Sequence, residues 1–357
     1  MKRFTGLMAA LIFLFGLFPM KAQAVELDVE GKSALLMDVE TGTVLYEKNA
    51  HEKLSPASVT KVMTMLLIME AIDSGKIGWN DMVTASESAA AKGGSQIYLK
   101  VGEQMSVTDM LKSIAVSSAN DCACAMAEHI AGSEAAFVEM MNRRAKELGM
   151  NDTNFVNCTG LDDGEAAVNH KTSAYDIALM SRELLKNHPD IKKFTTIWMD
   201  TVRNGAFGLS NTNKLVRFYS GCTGLKTGFT SGAGYCLSSS AQREGMELIA
   251  VVMGCETSNI RTAACKGMLD YGFANFALVT PTLEDVPQVP VTLGTSDAVK
   301  LIPEGTAGLL VDKAQKSSIT TETSVEESVS APVAKGQQLG TMTVKSGETV
   351  LAQIPLV

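Results

Sequence analysis

Three clusters in this chain bring hydroxyls, amines and an amide together at spacings that suit nucleophilic catalysis. They are Ser58-Val59-Thr60-Lys61, Ser118-Ala119-Asn120 and Lys226-Thr227-Gly228, with 60 residues between the two serines and 108 more to Lys226. A free serine hydroxyl is a poor nucleophile at neutral pH and needs a base. Lys61 stands three residues after Ser58, and on a helix those positions share a face about one turn apart. A lysine amine serves as a base only when its pKa falls, through burial or a second cation nearby; Lys226 is a candidate for that cation. A helix N-terminus also favours charge developing on Ser58 and on a substrate oxygen.

The second cluster sits in a polar break, Ser117 to Asp121. There Ser118 suits proton relay to a leaving group, and the Asn120 amide can hold a substrate carbonyl and the lysine at once. In the third, Lys226 and Thr227 on a strand edge suit a carboxylate, and Gly228 lets a substrate backbone approach and pair. Each cluster alone also has a plain structural reading. Ser58 is then an N-cap with Lys61 exposed, the Ser118 break a capping loop, and Lys226 an exposed strand lysine. All three in this order point instead to a serine acyl-transferase.

The elements that must position these residues are legible in the hydrophobic pattern. Residues 31–48 read as a hairpin turning at Glu40-Thr41-Gly42-Thr43. After Ser58 the pattern turns helical, with Val62, Met63, Leu66, Leu67 and Ala71 at steps of three and four. Further helices are expected near 107–115, 122–130, 133–148 and 173–187, with Asp176 in the first turn of the last. Two apolar runs, 235–241 and 247–253, read as a hairpin after the Lys226 strand, and 261–276 as a closing helix. An N-terminal hairpin sharing a sheet with C-terminal strands, around a helical block, is an α+β arrangement.

Composition sets the outer limits. The first 24 residues carry Lys2 and Arg3, an apolar run from Leu7 to Phe18, and Ala22-Gln23-Ala24. This predicts an export signal cleaved after Ala24, because the apolar run is short for a bilayer span; an uncleaved anchor is the alternative. The remaining 333 residues are enough for two domains. The expected units are 25–279 and a β-rich 283–357, divided by a proline-rich stretch after Val279. Ser317 to Ser330 reads as exposed strand rather than linker. The net charge of −8 argues against nucleic acid and gives no pull toward anionic lipid. Seven cysteines leave at least one unpaired and lack zinc-ligand spacing, so buried free thiols are expected, with a disulfide left open. His51, His129, His170 and His188 are scattered, which suggests no metal centre, and no cofactor is called for.

On these residues, from about Leu27 to Val357, the chain resembles the low-molecular-weight penicillin-binding proteins that are serine-type D-Ala-D-Ala carboxypeptidases. Pro56-Ala-Ser-Val-Thr-Lys61 is similar to the family's nucleophile motif, and Ser118-Ala-Asn-Asp121 to its second, with alanine where glycine is common. Asn211 to Leu215 and Gly224 to Thr230 resemble the stretch around its third, and His170 to Asp176 a segment bordering the active site. The resemblance implies a penicillin-binding/serine β-lactamase-like domain, an antiparallel sheet with a helical block, followed by a small all-β domain.

It also implies roles. Ser58 would be the nucleophile and Lys61 the general base. Ser118 and Asn120 would assist proton transfer and binding, and Lys226, Thr227 and Gly228 would hold the carboxylate side. The Ser58 and Phe229 N–H groups would form the oxyanion hole. Arg261, 35 residues past Lys226, would help bind the terminal carboxylate or serve the closing helix structurally. The substrate would be a peptidoglycan pentapeptide ending in D-Ala-D-Ala, with β-lactams as covalent inhibitors. Two features depart from the pattern. No terminal amphipathic helix follows Leu351 to Val357, so no membrane anchor is evident, through a different mode of attachment or truncation. Glu165-Ala-Ala-Val-Asn169 echoes a loop with which one group of serine β-lactamases hydrolyses its acyl-enzyme. A β-lactamase, or a weakly catalytic penicillin-binding sensor or scaffold, is therefore the alternative.

Overall fold

The computed structural model describes residues 27–281, 287–305 and 308–357; the expected export segment lies outside them. Strands β1 (Ser33–Asp38) and β2 (Val44–Lys48) form the N-terminal hairpin. β3 (Cys222–Thr230), β4 (Gly234–Arg243) and β5 (Met246–Cys255) are its distant partners. All five join one antiparallel sheet in the order β2-β1-β5-β4-β3. The register sets Leu36 against Ala250 and Met37 against Ile249, so strands from before and after the helical block pair in the middle of the sheet. β3, the strand of Lys226, is left at an edge. The β4–β5 turn is tighter than expected from the sequence. Only Glu244 and Gly245 lie between the strands, both with positive φ (49° and 83°), the conformation a two-residue hairpin requires.

Between the halves of the sheet the chain builds helices α1 (Lys61–Asp73), α2 (Val107–Ser117), α3 (Asn120–Ala131), α4 (Glu134–Glu147) and α5 (Ala174–Asn187). The hydroxyls of Ser106, Ser133 and Ser173 cap the starts of α2, α4 and α5, each accepting an N–H three residues on. Ten of the thirteen residues of α1 are buried, so this helix is apolar on every side and runs through the centre of the layer. Leu35, Met37 and Ile249 face the helical layer on one side of the sheet, where α5 lies against β1 and β5 and α1 packs on α5. Leu36, Leu248 and Ala250 meet the closing helix α6 (Ser258–Asn275) on the other. This alternation along β1 and β5 is what a sheet covered on both faces demands.

After α6, Phe276–Val279 pairs antiparallel with Leu309–Asp312, so a backbone ladder crosses the boundary expected near Val279. The trailing residues form two small three-stranded sheets around Val289, Leu301, Leu339, Met342 and Leu356. Ile319–Val325 is indeed an exposed strand. All seven cysteines are free thiols, six of them buried. Burial pushes the thiols of Cys122, Cys236 and Cys265 up, which suits inert core residues. His188 lies beside Glu70 and Glu183, a grouping that no sequence spacing revealed. Both of those carboxylates accept from Arg144, at 2.7 and 2.6 Å.

Candidate active site

Ser58 lies in a tight 3-10 turn, Ala57–Thr60, that feeds directly into α1. Such a turn has about three residues per repeat, so positions i and i+3 eclipse. Lys61 Nζ accordingly donates to Ser58 Oγ at 2.9 Å and to the Thr159 carbonyl at 2.8 Å. Lys61 is fully buried, and burial lowers its pKa to about 7. About half of the amine is therefore neutral at neutral pH, the form a general base requires.

The second cation acts differently from the sequence expectation. Burial, not Lys226, dominates the shift at Lys61. The repulsion is felt at Lys226, whose pKa falls well below the usual lysine value through burial first, then Lys61 and Arg261. Lys226 is also buried, and among the described residues its Nζ donates only to the Thr227 carbonyl, at 2.9 Å. Arg261 donates Nη1 to the carbonyls of Gly228 and Cys236, at 3.0 and 3.3 Å, and its buried Nε has no partner among the described residues. No carboxylate pairs with any of these three cations among the described residues. Burial without a counter-ion penalises the charged form of both lysines, and an anion brought beside them would favour that form again.

β3 presses against the turn that carries Ser58. A Cβ placed on Gly228 would lie 2.6 Å from the Pro56 carbonyl oxygen and 3.0 Å from the Ser58 nitrogen. Only a residue without a side chain permits that approach. Lys226, two residues earlier, shares the strand face that meets the turn. Thr227 Oγ1 lies 2.6 Å from Thr212 Oγ1, which ties the Asn211–Leu215 stretch to the strand. Phe229 follows, half exposed, its ring 4.2 Å from that of Tyr235.

Ser118 occupies the junction of two helices. It ends α2 in the left-handed conformation, φ 64° and ψ 29°, and α3 begins at Asn120. Both residues are almost fully buried. Asn120 Nδ2 donates to the Gly93 carbonyl at 2.7 Å, while its Oδ1 has no partner among the described residues, an acceptor left open for a substrate N–H. Beside it, the buried Asp121 carboxylate accepts from the backbone of Ile97 and Leu99, at 3.1 and 2.9 Å, and fastens the 93–99 loop next to the site.

Sequence reasoning missed the segment Asn157–Leu161. Asn157 Oδ1 gathers the N–H groups of Thr159 and Gly160, at 3.1 and 2.6 Å, into a side-chain turn that presents the Thr159 carbonyl to Lys61. Gly160 has φ +81°, and a Cβ there would come within 1.8 Å of the Ala57 carbonyl oxygen. The only sequence signal was an Asn and a Gly in a short turn. Glu165, the residue that suggested a β-lactamase, sits exposed in a short turn, Glu165–Asn169. The groups bonded to Lys61 are a hydroxyl and a carbonyl.

Comparison with known proteins agrees with this arrangement. Residues 20–257 match the D-alanyl-D-alanine carboxypeptidase family, and residues 284–357 match the penicillin-binding protein 5 C-terminal domain. The chain is 45% identical to D-alanyl-D-alanine carboxypeptidase DacF of Bacillus subtilis, over 93% of this chain and 85% of that one. It is 36% identical to DacC of Escherichia coli, over 99% and 90%. Penicillin-binding protein 5 of Haemophilus influenzae superposes with a TM-score of 0.78 at 32% identity, covering 92% of this chain and 96% of that one. Penicillin-binding protein D2 of Listeria monocytogenes, solved with ampicillin bound, gives 0.63 at 32% identity over 69% and 99%. With Lys61 bonded to the Ser58 hydroxyl and two more buried basic groups, Lys226 and Arg261, close by, the chain belongs to the D-alanyl-D-alanine carboxypeptidase family and is a serine peptidase of the penicillin-binding kind.

Proposed function

We propose that Ser58 attacks the carbonyl of the penultimate D-alanine in a peptidoglycan stem pentapeptide and carries the acyl group. The observation that supports this most is the 2.9 Å bond from Lys61 Nζ to Ser58 Oγ, made by an amine whose pKa burial has brought to about 7. Lys61 takes the hydroxyl proton as the C–O bond forms. The Ser58 and Phe229 N–H groups receive the oxyanion. Ser118 passes the proton to the departing D-alanine amine, and the open Asn120 Oδ1 accepts a peptide N–H of the substrate. Lys226, Thr227 and Gly228 take the terminal carboxylate and the strand edge. Arg261 acts chiefly by its bonds to the Gly228 and Cys236 carbonyls, adding positive potential behind them. Water, activated by Lys61, then frees the tetrapeptide, and a β-lactam is a covalent inhibitor at Ser58. The work takes place outside the cytoplasm, after export and cleavage at Ala24, with 25–279 as the catalytic unit and 283–357 as the trailing one.

The test is release of D-alanine from a peptide ending in Lys-D-Ala-D-Ala, with Ser58→Ala as control. Release that the substitution abolishes supports the assignment. Undiminished release from Ser58→Ala would overturn it. Rapid turnover of penicillin without D-alanine release would favour the β-lactamase.

A further inference from the structure

The nucleophile turn is strained, and a line of hydrogen bonds runs into it from one side. Ala57, the residue before Ser58, has φ +48° although it carries a side chain, a conformation that persists only when its surroundings impose it. Its carbonyl accepts from Thr60 Oγ1 at 2.8 Å. Thr60 Oγ1 also lies 2.8 Å from His170 Nε2. On the far side of the ring, the Val156 N–H donates to His170 Nδ1 at 3.2 Å.

The proton positions in this chain are determined by its ends. A backbone N–H can only donate, so Nδ1 must be the bare nitrogen, and a neutral imidazole then carries its proton on Nε2. That proton points at Thr60 Oγ1, whose own single proton goes to the Ala57 carbonyl. Every donor therefore meets an acceptor, in one sense only, from Val156 through His170 and Thr60 to Ala57. His170 and Thr60 are both buried. The strand-like segment that carries His170 is fixed on two sides, Lys171 bridging to Asn154 and Thr172 to Leu54. Lys171 Nζ also donates to Ser55 Oγ at 3.0 Å. The 170–172 segment thus grips residues 54–60, the loop and turn that present Ser58.

We infer that His170 is a positioning residue for acylation, holding the Ala57–Thr60 turn through Thr60 so that Ser58 Oγ meets Lys61. This rests on Ser58 being the nucleophile. It requires of residue 170 only a neutral group with one donor and one acceptor. His170→Gln supplies both, with an amide N–H toward Thr60 and an amide oxygen toward Val156. His170→Leu supplies neither, and Thr60→Val removes the next link while keeping its shape.

The experiment measures the rate of Ser58 acylation by a fluorescent penicillin over a concentration series, on the full chain, separating the apparent dissociation constant from the acylation rate constant. A turn displaced by a fraction of an ångström is expected to slow acylation by about 10- to 100-fold. His170→Leu and Thr60→Val should each lose that much in the rate constant with the dissociation constant little changed. The double variant should lose no more than either single one. His170→Gln should stay within about threefold of wild type, by the same geometric argument. A merely structural histidine would lower the melting temperature and leave the rate constant of the folded protein alone, and that result would overturn the inference. So would losses that multiply in the double variant, or a His170→Gln as slow as His170→Leu. If His170→Leu does not fold, Thr60→Val and His170→Gln still decide the question. Ser58→Ala runs alongside: labelling that survives it would sink the nucleophile assignment, whereas labelling lost there but undiminished in His170→Leu would sink this inference alone.

Discussion

The layer around Ser58 and the trailing residues 287–357 treat their interiors in opposite ways. Around Ser58, Lys61, Asp121, His170, Lys226 and Arg261 are all buried, and Ala57 and Ser118 have positive φ. In the trailing region every described buried side chain is apolar, and one strand, Ile319–Val325, is exposed along most of its length. Buried polar groups are tolerated only where something satisfies them or uses them. The difference teaches that the buried polar groups suited to chemistry gather in one layer, while the second region contributes shape and a ladder, Phe276–Val279 against Leu309–Asp312.

That contrast breaks first at Lys61. Lys61→Ala should lower the acylation rate by about 10³-fold, the usual scale for a lost general base, measured with a fluorescent penicillin. In the wild type the same rate should rise with pH and reach half its plateau near pH 7, because only the neutral amine accepts the Ser58 proton and its pKa is about 7. A flat profile from pH 5 to 9 would remove Lys61 from the role.

Gly160 comes next. Gly160→Ala places a Cβ 1.8 Å from the Ala57 carbonyl oxygen at φ +81°, so the Ala57–Thr60 turn or the Thr159 carbonyl must move. An acylation loss of about 10²-fold is expected, with a lowered melting temperature; normal kinetics would show that the layer is softer than its packing implies.

A smaller effect is readable in stability. Burial, with Lys171 and Lys61 adding repulsion, lowers the His170 pKa from 6.5 to about 4. The unfolded chain then binds a proton that the fold refuses, so stability falls as the pH drops from about 6.5 to about 4 and is fully retained above that window. The effect is worth up to about 3 kcal/mol. Denaturant unfolding at pH 7 and pH 4.5 should show less acid loss in His170→Gln than in wild type.

The smallest catalytic effect should come from the trailing region. Met342→Ala opens the centre of its core and should destabilise that region by about 2–5 kcal/mol. Acylation should stay within about twofold, since no buried polar group of that region reaches the site. A large kinetic loss would mean that the ladder to Phe276–Val279 transmits strain into α6 and the sheet.

Much of this molecule was readable without coordinates. The motif residues, the helical period after Lys61, the strands that follow Lys226 and the family likeness all come from local order, because a period of 3.6 or 2 and a short motif are properties of neighbouring residues. The α+β class followed from the order of those elements. What the chain order concealed was every contact made at long separation. Thr159 meets Lys61 from 98 residues away, and His170 meets Thr60 from 110. Burial, and not Lys226, sets the low pKa of Lys61, and Arg261 is held by backbone bonds. The sequence by itself determined which groups were available for acyl transfer. Only the tertiary structure decided which of them are desolvated and aligned, because pKa and strain depend on what the folded chain packs around a group and not on what lies next to it along the chain.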